Sequence, residues 1–255
     1  MGNITIPGHN FGSANNASIV SFSSIVGWQS PYPTVPVVPG DVIIAFAYSW
    51  NRPITGTPPD FVRVGTSHIA DSAMTAWAKT VLPGATTGPY TFTFGGSGYH
   101  SVHLLLLRGA DPTRPVVGVG SGYYTYGNST AGVGVSPGAT VTPTPQIAPD
   151  GIMALRCVGT GWSGTSGNWV WPTGITERID SITSSGIRYM STATAGSESA
   201  KAVFPDASPR FSSSIPGYNA AITLAIQPRR RAMIDDRSRG ILSGVRQLEF
   251  NLTPP

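Results

Sequence analysis

The sequence predicts an all-β protein: an antiparallel, jelly-roll-like β-sandwich built from two degenerate four-strand copies, with a C-terminal extension. Three observations predict it. Gly, Pro, Ser and Thr together supply 108 of 255 residues, the composition of many short strands joined by tight turns. Only 11% of residues are charged while 40% are hydrophobic. A core can therefore form, but the charged faces of a helical bundle, a coiled coil or a charged disordered chain are missing. Finally, one order of strands and turns occurs twice along the chain.

The first copy, residues 38–119, opens with the turn Pro39-Gly40-Asp41 and the strand VIIAFAYSW. The second, residues 147–228, opens with Pro149-Asp150-Gly151 and IMALRCVG. Setting Ala45 against Ala154 also pairs Ile44 with Met153, Phe46 with Leu155 and Tyr48 with Cys157. Pro-rich loops follow, PITGTPPDFVRVG and WPTGITERID, with Phe61 opposite Ile175. The third strands read SAMTAWAKTV and SGIRYMSTAT. The last pair is the clearest, SGYHSVHLLLLRG against PGYNAAITLAIQP, with Tyr99 opposite Tyr218. Val42, Ile44, Phe46, Tyr48 and Trp50 share one side of their strand, and Ile43, Ala45 and Ala47 the other. Both sides are apolar, which predicts a central strand covered on both faces. Residues 120–146 form a linker hairpin between the copies, residues 1–37 supply N-terminal strands or an arm, and the two copies share one core.

Residues 229–255 stand apart. They carry six Arg against Asp235, Asp236 and Glu249, whereas residues 1–228 are close to neutral. The basic pI thus reflects a tail, and a nucleic-acid partner is not expected. Arg229, Arg230 and Arg231 open this segment, and Ile241, Leu242, Val245, Leu248 and Phe250 form an apolar stripe within it. A disordered tail has little use for such a stripe, so the segment reads as an assembly arm that docks on a neighbour as helix or strand.

No motif carries convincing chemistry. Gly159-Thr160-Gly161-Trp162-Ser163-Gly164 matches a dinucleotide fingerprint, but the helix that must follow is precluded by TSGNWVWPTG. His100 and His103 sit three apart on a strand, hence on opposite faces, which does not make a metal pair. His68, Asp71 and Ser72 lack any nucleophile elbow. Asp41, Asp111 and Asp150 fall at turns, and Cys157 alternates in phase with core residues. A single cysteine leaves no internal disulfide or cysteine zinc site. No catalytic, metal or cofactor-binding residue is assigned, and no cofactor is expected. No run reaches the roughly 18–20 apolar residues of a membrane span, and the N-terminus lacks the signature of a signal peptide. The functional-looking residues are aromatic: Trp162, Trp169 and Trp171 cluster in a Gly/Ser loop, and Tyr123, Tyr124 and Tyr126 in the linker hairpin between the copies. Such faces stack on sugar rings or fill a partner's pockets.

Residues 38–228, about three quarters of the chain, resemble a β-sandwich domain common in virion proteins of tailed bacteriophages, especially minor tail proteins, and in some bacterial surface proteins. GDVIIAF, YTFTFGGSGYHSVHLLLLRGADPTRPV, PTGITERID and GYNAAITLAIQP carry the resemblance. Where that family has a Pro-x-Gly-Trp loop, this chain has Pro58-Pro59-Asp60-Phe61. The resemblance implies a non-enzymatic structural or adhesive module, often a homo-oligomer, and supplies no catalytic residues. The expectation is a virion structural protein made in the host cytoplasm, a minor tail or tail-tip component tied to other virion proteins by its arm. A capsid decoration protein and a host adhesin binding a surface glycan are the alternatives.

Overall fold

The strand that reads as apolar on both sides is the one around which the protein is built. In the computed structural model, which describes residues 4–27, 29–50, 52–69, 72–124, 152–163, 169–171, 173, 175–185, 188–199, 210–211 and 217–229, residues 42–48 have no solvent exposure. The first sheet contains β1 (Thr5–Phe22), β2 (Val42–Trp50), β3 (Ile54–Gly56), β4 (Val62–Ile69), β5 (Ser72–Thr80) and β6 (Tyr90–Arg108), in the order β1-β6-β2-β5-β4 with β3 against β6. The remaining elements are β7 (Val116–Tyr124), β8 (Met153–Ser163), β9 (Trp169–Val170), β10 (Glu177–Ser185), β11 (Arg188–Ser199), β12 (Arg210–Phe211) and β13 (Gly217–Ile226). Five of them form the second sheet, in the order β10-β11-β8-β13-β7, while β9 pairs with β12. All pairings are antiparallel.

The duplication read from the sequence is the plan of the fold. Replacing β1, β2, β4, β5 and β6 by β7, β8, β10, β11 and β13 turns the first sheet's order into the second's, read from the other edge. The four expected strands of each copy therefore lie in one sheet, but the boundary moves: residues 116–119, expected at the end of the first copy, open β7 of the second sheet. A fifth strand precedes the expected four in each, β1 from the N-terminal segment and β7 from residues 116–124. Residues 120–124, at the start of the expected linker hairpin, thus complete β7 along β13. Residues 125–150 lie outside the described residues. Across the sandwich β2 meets β8, β4 meets β7 and β1 meets β10. That arrangement relates the copies by an approximate two-fold axis through β2 and β8.

Strand parity fills the space between the sheets. Ile44, Phe46 and Tyr48 of β2 and Leu105 and Leu107 of β6 meet Leu155 and Cys157 of β8 and Ile222 and Leu224 of β13. Cys157 is a fully buried core thiol, as its phase with Met153 and Leu155 predicts. The other face of β2 is covered by the chain itself. Between Gly98 and Thr93 β6 runs five residues while its partner β1 advances only from Ala17 to Ile19. This bulge at Phe94-Gly95-Gly96-Ser97 lets the outer half of the β1–β6 ribbon turn over the sheet. Phe22, Tyr90, Phe92 and Phe94 then bury Ile43, Ala45, Ala47 and Trp77 in a second core.

Candidate functional site

The two ends of the sandwich differ in chemistry. At one end, β2 and β8 begin while β6 and β13 finish, and polar side chains pin the turns. Asp41, almost fully buried, accepts two hydrogen bonds from Arg108, from Nε at 3.0 Å and Nη2 at 2.8 Å, and one from the Val38 amide. Arg108 Nη2 also donates to the Pro36 carbonyl. Asp111 Oδ1 accepts from the amides of Thr113 and Arg114 and from the Thr113 hydroxyl, and Oδ2 accepts from Gln227 Nε2 at 2.9 Å. Burial pushes the Asp111 carboxyl up, but these hydrogen bonds outweigh it and leave it below the usual carboxylate range. Both acids therefore hold turns, the local role their positions predict, and Asp111 also ties the copies together through Gln227. The chain leaves here: the Arg229 amide donates to Gly109 and its guanidinium reaches the Gly40 carbonyl at 3.4 Å. Arg230, Arg231, Ile241, Leu242, Val245, Leu248 and Phe250 lie outside the described residues.

The opposite end gathers the aromatic positions of the second sheet. Tyr123 and Tyr124 close β7 opposite Ala220 and Asn219, and Trp162, expected in a loop, instead belongs to β8, where pairing on both sides holds it between Tyr189 and Gly217. The register places these three backbone positions at the same sheet end. Trp169 pairs with Phe211 in the β9–β12 ribbon, and Trp171 just beyond is half-buried, with its Nε1 shielded from solvent and lacking a hydrogen-bond partner. Tyr126 lies outside the described residues.

The motif matches resolve into packing. Gly159 and Gly161 belong to β8, not to a phosphate loop. A Cβ at Gly159 would stand 2.6 Å from Cγ and Cδ2 of Tyr48 across the sandwich, so the glycine lets a ring lie flat against the opposite strand. Gly159→Ala is expected to lower stability by about 1–3 kcal/mol through overpacking, read as a drop in the urea midpoint. An unchanged midpoint would mean that the Tyr48 ring moves aside freely.

His100 and His103 do lie on opposite faces. His100 stacks on Phe94 with centroids 3.9 Å apart, and its Nε2 donates to the Gly96 carbonyl while Nδ1 accepts from the Ser49 hydroxyl at 2.9 Å. His103 is fully buried, with Phe11 edge-on to it. Among the described residues no group of three His, Cys, Asp or Glu is placed to hold a metal. His68 and Ser72 flank the β4–β5 hairpin, and Asp71 lies outside the described residues. Among the described residues, no helix is long and apolar enough to cross a membrane.

Two surface features escape the sequence reading. A polar cleft of about 380 Å³ lies on the outer face of the first sheet, with Phe61 and Trp77 beside Arg63, Thr57 and Thr75. A larger, mainly apolar groove of about 610 Å³ runs between the sheet edges at the end where the chain leaves, lined by Val62, Val64, Leu82 and Val116. Of its lining, Val62 and Leu82 are large apolar side chains at the surface, 67% and 62% exposed.

In comparisons with known proteins, no family model, curated protein or solved structure matches the chain.

Proposed function

We propose that this is a non-enzymatic structural protein of a bacteriophage virion, most closely suited to a minor tail or tail-tip position. The carrying observation is the separation of its two ends: the chain exits at Arg229 on one, and the aromatic backbone positions of β7 and β8 gather on the other. A rigid sandwich with an arm at one end and aromatic residues at the other fits a module anchored to other virion proteins and presented outward. The polar groups at the exit end serve turns, and the resemblance of residues 38–228 supports the same reading.

A second reading, a glycan-binding host adhesin, is favoured by the cleft in which the partly exposed Phe61 ring lies beside an arginine and threonine hydroxyls, since sugars stack on ring faces and hydrogen-bond at their edges. Immunogold labelling of intact particles with an antibody against residues 38–228 tests these readings. Label at the tail or its tip is the expected result. Label spread over the head would make the protein a capsid decoration, and no label would remove both virion positions.

A further inference from the structure

The apolar groove lies where the chain leaves the sandwich. Val62 and Val64 of β4, Leu82 and Pro83 after β5, and Val116 at the start of β7 line it. Because β4 and β7 are edge strands of opposite sheets, it lies along the seam of the sandwich. A groove lined by apolar side chains can take an apolar segment of chain.

Its position relative to the arm is set by hydrogen bonds. β13 runs antiparallel to β7 and ends with Ile226 opposite Val116, a groove residue. Three residues later Arg229 contacts Gly40, whose amide donates to the carbonyl of Val81, the neighbour of Leu82. The chain thus enters residues 230–255 beside the groove. Eleven residues, 230–240, separate that point from Ile241, and they span up to about 36–40 Å when extended. The stripe Ile241, Leu242, Val245, Leu248 and Phe250 has the apolar character the groove needs. Arg237, Arg239 and Arg246 flank that stripe, while the groove wall carries both Asp60, 3.5 Å from Lys79 Nζ, and Arg114, so the apolar lining rather than charge carries the fit.

We propose that this groove holds the apolar stripe of the same chain's arm, residues 241–250, and so masks it until a virion partner competes for it. The inference rests on the reading of residues 229–255 as an assembly arm. A short tether gives the chain's own stripe an effective concentration of order millimolar, which favours it over the stripe of a second copy in the free protein.

Hydrogen–deuterium exchange of the full-length protein, read by mass spectrometry, tests this without particles, so its failure is separate from that of a virion location. The amides of residues 241–250 are expected to exchange at least about tenfold more slowly than an unstructured chain. In Leu82→Glu and in Val62→Glu, both at exposed positions, they should return to the unstructured rate while the amides of β2 and β8 stay protected. Unstructured rates in the wild type overturn the proposal, as does protection that survives both substitutions. Protection that fades on dilution would also overturn it, because the groove would then be filled by a second copy.

Discussion

Taking the protein from about pH 7 to about pH 4.5 is expected to cost about 2–3 kcal/mol of unfolding free energy through His103 alone. This imidazole has no solvent exposure. Burial, reinforced by the neighbouring His9, lowers its pKa from 6.5 to about 3. In the unfolded chain it takes up a proton near 6.5, whereas in the folded protein it stays neutral until about pH 3. The unfolded state therefore binds more protons throughout that window. Stability is fully present above pH 6.5 and falls at up to about 1.4 kcal/mol per pH unit below it. Burial also lowers His9 and His100, so both act in the same direction. Asp111, held below its ordinary 3.8, loses its contribution chiefly in more acidic solution. Ile222 is the residue opposite His103 when the last strands of the copies are aligned on Tyr99 and Tyr218, and it is buried in the same inter-sheet core. His103→Ile should therefore flatten the fall in urea midpoint between pH 6.5 and pH 4.5. An equal slope in both proteins would show that His103 does not govern the acid response.

How far the sequence can be read depends on which contacts are local. The duplication is legible because alternation puts Phe46 and Leu155 on matching faces, and both enter the core between the sheets. The closing strands are legible for the same reason, and each copy's last strand pairs with its first. Gly159 was open to misreading, because its reason for being glycine is a ring more than one hundred residues away. The groove is hidden for a related reason: Val62 and Leu82 are apolar like core residues, and only the meeting of two sheet edges leaves them uncovered. Aromatic positions are legible as a group, but their gathering at one sheet end depends on the registers of β7, β8 and β13.

The outer core is the least legible part of the fold, and Phe92→Ala should show its weight. YTFTF alternates like any strand, and nothing in it announces that it turns over its own sheet. That turn depends on the bulge at residues 94–97 and on the long pairing with β1. Once made, it places Phe92, with no solvent exposure, 5.8 Å from the Phe61 ring, 5.9 Å from Trp77 and 6.5 Å from Phe22. Removing a phenyl ring from such a site forfeits its burial and leaves a cavity, at about 3–5 kcal/mol. Phe11, half exposed on the edge strand β1, provides the control, and Phe11→Ala should cost much less because little of its surface leaves water on folding. Urea unfolding of both variants decides the matter. If Phe92→Ala costs no more than Phe11→Ala, the outer layer is a loose cover that contributes little stability. If it approaches the cost of truncating Phe46 between the sheets, the first sheet is held equally from both sides. The first sheet would then be the middle of three layers, with the folded-over ribbon stiffening the sheet whose edge lines the apolar groove.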